Sequence, residues 1–246
     1  GKKHSNVGLT LNSLGELYRA LGIPSKAEPL YQRSLEVLRE ALPPDHPFIA
    51  PPLNNLGALY FWQKRYAEAE PLLTEALSIN KKAYGRTHPD VALATGNLAS
   101  LYTELSRYAE ASKHFELALS IQEEVVGSQH FAFAVTMGRF GILDFRREKW
   151  AGATQRLGQS ASTLYELNRR EGIPQSKQMR GKVWSGIHFD SFIFRSFVKA
   201  VYRSIDAGAA SRLRPTVSPF RIAQSVDATS TAASLSKMAA RQATGD

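Results

Sequence analysis

The chain has 246 residues, 43% of them hydrophobic and 22% charged, a balance that excludes a disordered or collagen-like polypeptide. It contains no cysteine, which excludes disulfides, thiolate-ligated zinc and a cysteine nucleophile. The formal net charge is +9, and it is unevenly placed: eleven basic and four acidic residues lie from Lys177 onward, so the first 176 residues are nearly neutral.

No run approaches the roughly 18 consecutive apolar residues that a membrane helix needs. Gly1-Lys2-Lys3-His4 leads into a polar stretch rather than an apolar signal core. A cytoplasmic location without membrane contact is the expectation.

The chain repeats itself with a period of 42. Leu14, Leu56, Leu98 and Phe140 are in phase, as are Gly15, Gly57, Ala99 and Gly141. Tyr18, Tyr60 and Tyr102 form a third series that Asp144 breaks. Ala27, Ala69, Ala111 and Ala153 follow, then Tyr31, Leu73, Phe115 and Leu157, and then Ser34, Ala76, Ala118 and Ser160. Within a unit, apolar residues recur at helical spacing in two runs, such as Leu53, Leu56, Leu59 and Tyr60 followed by Ala69, Leu72, Leu73, Ala76 and Leu77. Each unit therefore reads as a hairpin of helices A and B, with small residues where the two backbones approach.

The spacing predicts helices at 6–21 and 25–41, 48–63 and 67–83, 90–105 and 109–125, and 132–147 and 151–168. Pro47 and Pro89 suit a first helical turn, where the missing N–H is not needed; Pro29 and Pro71 fall near the start of helix B. His4, His46, His88 and His130 also keep the period. Each is expected in its own inter-repeat loop, as a polar turn residue before helix A. Four ligands cannot converge on one ion from four separate loops, so no metal or other cofactor is expected.

These motifs resemble the tetratricopeptide repeat (TPR): Leu-Gly-x-Leu-Tyr on helix A, then Ala, a large apolar residue and Ala on helix B. The usual unit is about 34 residues. The 42-residue form, with Leu-Asn-Asn-Leu at 53–56, Arg-Tyr-Ala-Glu-Ala at 65–69 and His-Pro-Asp at 88–90, is similar to kinesin light chain-like repeats. The resemblance implies an all-α fold, a right-handed superhelix of four 42-residue hairpins followed by C-terminal helices. The domains expected are a repeat array at 1–170 (repeats about 5–46, 47–88, 89–130 and 131–170) and a helical extension with a linker at 171–246. The fourth unit decays, with Asp144, Trp150 and Arg139 at the repeat's Tyr, Tyr and Asn positions. No polar capping helix precedes the first unit, and solenoids need capped ends. The expectation is either a fragment of a longer array or the loss of residues before Gly1.

Beyond the array, 171–187 reads as a loop, 188–207 as a helix with Phe189, Phe192, Ile193, Phe197, Ala200 and Val201 on one stripe, 208–218 as a linker and 219–242 as an alanine-rich helix. The stretch 192–202, Phe-Ile-Phe-Arg-Ser-Phe-Val-Lys-Ala-Val-Tyr, resembles the helix that follows the repeats in bacterial TPR proteins with a C-terminal CHAT domain. The stretch 223–241 is similar to the helix just upstream of that domain. CHAT domains are caspase-like and use a His/Cys dyad. That chemistry cannot be carried by a chain without cysteine, although the resemblance leaves room for a CHAT domain beyond residue 246.

No enzyme constellation is present: no G-x-S-x-G elbow, Walker loop, H-E-x-x-H or dinucleotide fingerprint. A non-enzymatic scaffold that binds a protein or peptide is therefore expected. In kinesin light chain-like repeats the asparagines matching Asn12, Asn54, Asn55 and Asn97 contact peptide backbone, a task suited to carboxamides because each both donates and accepts. Arg19, Phe61 and Glu104 share the adjacent helical turn and complete the expected groove. Gly96, Gly138 and Arg139 depart from the pattern. The alternative for the asparagines is bonding between neighbouring repeats. Two alternatives stand for the whole chain. One is a stand-alone kinesin light chain-like adaptor. The other, disfavoured, is nucleic-acid binding by the basic tail with Trp184, Phe189 and Tyr202; most tail aromatics fall on one apolar stripe, which suits packing better than base stacking.

Overall fold

In a computed structural model the described residues are 2–170 together with Ile193, Ser196, Phe197, Lys199, Ala200, Val201 and Arg203. Eight α-helices follow one another over residues 2–170: α1 (Lys2–Ala20), α2 (Pro24–Ala41), α3 (Ala50–Trp62), α4 (Tyr66–Tyr84), α5 (Pro89–Glu104), α6 (Tyr108–Val126), α7 (Phe131–Arg146) and α8 (Trp150–Arg170). No strand occurs among the described residues. The chain forms two compact units, with repeats 1–3 in the one ending at Gly127 and repeat 4 in the one beginning at Ser128.

Three details differ from expectation. First, α1 starts earlier than predicted and takes in His4, so His4 is a helical residue and not a loop residue. Second, a 3₁₀ turn, Pro47–Ile49, precedes α3. Its cause is local: Pro51 and Pro52 have no N–H to return to the carbonyls of residues 47 and 48, and the Ala50 N–H closes a shorter loop onto the Pro47 carbonyl. Third, Pro29 and Pro71 lie inside α2 and α4, past the turn in which the N–H is unused. Both rings are solvent-exposed.

The helix ends repeat as faithfully as the helix faces. His46, His88 and His130 are N-caps, each Nδ1 accepting a hydrogen bond from the backbone N–H two residues on, at 3.2, 3.2 and 3.1 Å. An acceptor Nδ1 requires the neutral ring with its proton on Nε2. Every helix A closes in a Schellman motif. In repeat 2 the Arg65 N–H reaches the Tyr60 carbonyl at 2.9 Å and the Lys64 N–H reaches Phe61 at 3.0 Å; the same pair recurs at Ile23/Gly22, Arg107/Ser106 and Lys149/Glu148. The left-handed residue is glycine only in repeat 1; Lys64, Ser106 and Glu148 adopt φ of 62°, 60° and 57°.

Helix A packs on its own helix B through the predicted small-to-large contacts. A Cβ added at Gly57 would lie 2.8 Å from Leu73 Cγ, and one at Gly15 would lie 2.6 Å from the Tyr31 ring. Ser34 and Ser160 donate to the carbonyls of Gly8 and Ala134 at 2.7 and 2.6 Å, whereas the middle repeats fill this position with Ala76 and Ala118. In the first unit each helix B also packs on the next helix A, α2 on α3 and α4 on α5. A polar clasp reinforces both junctions. The Arg65 guanidinium stacks 3.8 Å over the Tyr60 ring and bonds Glu28 of the preceding repeat and Glu68 of its own at 2.8 and 2.6 Å. Arg107 does the same with Tyr102, Glu70 and Glu110. Hydrogen bonds to the paired carboxylates raise the pKa of both arginines.

One series departs from burial. Leu56 and Leu98 are 4% and 2% exposed, and Leu59 and Leu101 are 3% and 0%, but their counterparts on α1, Leu14 and Leu17, are 39% and 53% exposed. No helix B lies against that face of α1 among the described residues.

In the second unit Asp144 takes the tyrosine's position. It is buried and pairs with Arg156, whose guanidinium also lies 4.1 Å from the Phe140 ring. Burial pushes the Asp144 carboxyl up, with Arg156 opposing. Ile193, Phe197 and Ala200, spaced i, i+4, i+7, are buried with Ala153, Leu157, Ala161 and Leu164 of α8, while Lys199 and Arg203 face solvent. Phe189, Phe192, Arg195, the 208–218 linker and the 219–242 helix lie outside the described residues.

Candidate functional site

The packing leaves one face of each helix A open in the first unit. On α1 it runs through Leu9, Ser13, Glu16 and Ala20; on α3 through Pro51, Asn55, Ala58 and Trp62; on α5 through Leu93, Asn97, Ser100 and Glu104. These positions share the 42-residue phase, and all are half-buried or exposed. Because α1 neighbours α3 and α3 neighbours α5, the stripes lie side by side.

The four asparagines are brought together in pairs across the repeats. Asn55 Nδ2 donates to Asn12 Oδ1 at 3.0 Å and to Glu16 Oε1 at 2.7 Å; Asn12 Nδ2 reaches the same carboxylate oxygen at 3.3 Å. Asn97 Nδ2 donates to Asn54 Oδ1 at 2.9 Å. Asn12 and Asn54 are buried, at 7% and 8% exposure, and their bonded partners Asn55 and Asn97 are half-buried at the edge of the open face. The ladder is thus a joint between repeats whose outer carboxamides border the face. Its next acceptor would come from Gly96, which has no side chain, so the asparagine series ends at repeat 3.

Gly138 breaks the series for another reason. A Cβ there would meet Ile193 and lie 2.7 Å from Ser160 Oγ, so the C-terminal turn occupies the space a side chain would need. Arg139, on the same helix, is half-buried.

The remaining predicted residues separate. Arg19, half-buried on α1, lies near the Tyr31 phenol, whose pKa is raised by burial and lowered in part by Arg19. Phe61 and Glu104 come together through Tyr66, and Trp62 joins Phe61; neither Tyr66 nor Trp62 was among the expected groove residues. The Phe61 ring meets Trp62 edge-on with centroids 5.4 Å apart and Tyr66 at 6.0 Å. The Tyr66 hydroxyl is 3.5 Å from Glu104 Oε2. Trp62 is 64% exposed. The signal for Trp62 was present: it lies seven residues after Asn55, on the same helical face. Glu16, four residues after Asn12, carried the same signal.

An open depression of about 340 Å³ lies elsewhere, between α2, α3 and α4, walled by Leu35, Leu56, Leu72 and the Tyr60 ring. The Gln32 amide donates to the Tyr60 hydroxyl there at 3.0 Å. The open helix A face, by contrast, recurs in three repeats. No group of three or more His, Asp or Glu side chains is arranged for a metal among the described residues, and none of the described helices is long and apolar enough to cross a membrane.

Stacked helical hairpins with a periodic small-to-large seam define a helical-repeat protein. Tetratricopeptide repeat models match residues 7–48, 48–124 and 91–165, and the chain belongs to the tetratricopeptide repeat family. Its fold is similar to BtubC (BKLC) from P. vanneervenii, with 20% identity, TM-score 0.62, and coverage of 85% of this chain and 77% of that one. It is also similar to a Podosopora anserina putative kinesin light chain with nearly identical TPR-like repeats, at 18% identity and TM-score 0.61, covering 85% and 91% of the two chains. A point variant of that protein gives 17% identity, TM-score 0.62, and 97% and 98% coverage. No curated protein matches the sequence. Tetratricopeptide repeats mark the chain as a protein–protein interaction scaffold.

Proposed function

We propose that the open helix A face of repeats 1–3 binds an extended peptide or a partner helix. The observation that carries this reading is the register of the asparagine ladder. Asn55 and Asn97 are fixed at one depth, one repeat apart, by the Asn12 and Asn54 carbonyls behind them. Carboxamides held in place lose little entropy when they meet a peptide backbone. Arg19 at one end of the face and Phe61 with Glu104 at the other supply charge and apolar contact.

The reading extends to the rest of the molecule. This chain is the regulatory, non-hydrolytic part of a TPR–CHAT-like protein, supported by the resemblance of 192–202 and 223–241 to the helices between the repeats and that domain. A caspase-like domain encoded in frame after residue 246 is the expected finding; its absence leaves the stand-alone adaptor.

The test of the groove uses Asn54→Ala combined with Asn97→Ala. These residues are the two partners of one hydrogen bond, so the double substitution removes its donor and acceptor together, and stability changes little. A peptide selected on the wild-type chain from a displayed random library should bind the double variant about tenfold more weakly, at roughly 0.5–1.5 kcal/mol per lost hydrogen bond. Unchanged affinity with an unchanged melting curve would place the binding surface elsewhere.

A further inference from the structure

The open face has a chemical bias, and the inference drawn from it rests on the groove reading above. Its three stripes hold two carboxylates, Glu16 and Glu104, and no lysine or arginine; Arg19 borders the α1 stripe at the repeat 1 end, near the Tyr31 phenol. The two arginines that enter α4 and α6 point to other work: each is held by a tyrosine ring and two carboxylates in the inter-repeat clasps. At the junction of repeats 2 and 3 the face becomes aromatic. Trp62, Phe61 and Tyr66 form a continuous run of rings that ends at the Glu104 carboxylate.

A large exposed indole is unusual on a monomer's surface unless it meets something. Trp62 contributes little to the core at 64% exposure, and the Phe61 ring meets it edge-on. An electron-rich ring face beside a carboxylate is the arrangement that attracts a lysine ammonium or an arginine guanidinium. It repels an acidic side chain.

We propose that the patch of Phe61, Trp62, Tyr66 and Glu104 receives a lysine or arginine side chain of the partner, so that the groove selects basic peptides over acidic ones. The asparagine ladder beside it holds the peptide backbone, and the patch reads one cationic side chain two helical turns further along helix A. Asn55 and Trp62 stand seven residues apart on α3, about 10 Å at the helical rise, which places the cationic residue about three positions from the backbone clamp in an extended peptide.

The probe is a displayed library of random dodecapeptides, selected on the full chain and on three variants: Trp62→Ala, Glu104→Gln, and Asn54→Ala with Asn97→Ala. Glu124→Gln, exposed on α6, is the control. The expected result is enrichment of lysine or arginine at one position on the wild-type chain. Individual peptides from that pool should bind Trp62→Ala and Glu104→Gln about tenfold more weakly, while Glu124→Gln binds normally and all variants melt together. A pool that depends on the asparagines but shows no cationic preference, or an acidic one, overturns this inference and leaves the groove reading standing. A pool indifferent to every variant, or a library with no enriched peptide, overturns both.

Discussion

At the residue scale, the periodic histidines show how an identical sequence signal can serve binding or architecture. Spacing alone gave four of them one role. Three are N-caps whose Nδ1 accepts from the second residue of the next helix or 3₁₀ turn, and His4 lies within α1. A cap is worth about 0.5–2 kcal/mol. His88→Ala should therefore lower stability by that amount in chemical denaturation, and His88→Asn, whose side-chain oxygen can also accept, should recover most of it. Added zinc should leave both melting curves where they are. A zinc-dependent rise in the wild type that His88→Ala abolishes would reassign these residues to metal binding. The left-handed residues at the ends of helix A follow the same logic: Lys64, Ser106 and Glu148 occupy a conformation that costs a side-chain-bearing residue about 1 kcal/mol. The position is dictated by the Schellman motif, so the strain recurs wherever the sequence lacks the glycine of repeat 1.

At the element scale, equivalent positions in different repeats carry different energies. Leu17, Leu59 and Leu101 share one phase, and the period predicts one role for all three. Burial separates them: α3 and α5 each pack on the helix B of the preceding repeat, and Leu59 and Leu101 are buried where Leu17 is exposed. Truncating a buried leucine costs about 2–5 kcal/mol, and an exposed one about 0.5 kcal/mol or less. Leu59→Ala and Leu101→Ala should each lower the denaturation midpoint sharply, and Leu17→Ala should barely move it. Equal losses at Leu17 and Leu59 would show that the α1 face is covered in solution. The clasps add a second layer: Glu28–Arg65–Tyr60 and Glu70–Arg107–Tyr102 join consecutive repeats, but the same phase continues as Ser112 and Lys149, which cannot form a carboxylate–guanidinium pair. Repeat 4 instead pairs Asp144 with its own Arg156.

At the scale of the whole molecule, the C-terminal extension is tied to repeat 4 by apolar contact. Ile193, Phe197 and Ala200 are buried against α8, and Gly138 and Gly158 make room for them. Burying one such side chain is worth about 1.5–3 kcal/mol. Ile193→Asp with Phe197→Asp should therefore destabilise repeat 4 and promote aggregation in light scattering, whereas Lys199→Glu, on the exposed side, should not. Tight binding of single-stranded DNA at physiological salt, lost in the aspartate variant without any change in melting, would favour base stacking over packing. The sequence by itself determined the helical hairpins, their number, their ends to within a few residues and the small-to-large seam, because each follows from side-chain spacing along a single helix or a pair of adjacent ones. It also placed the asparagines on one helix face. Only the tertiary structure decided that Asn12 and Asn54 are inner acceptors and Asn55 and Asn97 outer donors, that Tyr66 joins Phe61 to Glu104, and that Leu14 and Leu17 of α1 stay exposed. Each of those outcomes depends on which neighbour lies 42 residues away in the chain and a few ångströms away in space, and helical periodicity carries no record of that neighbour.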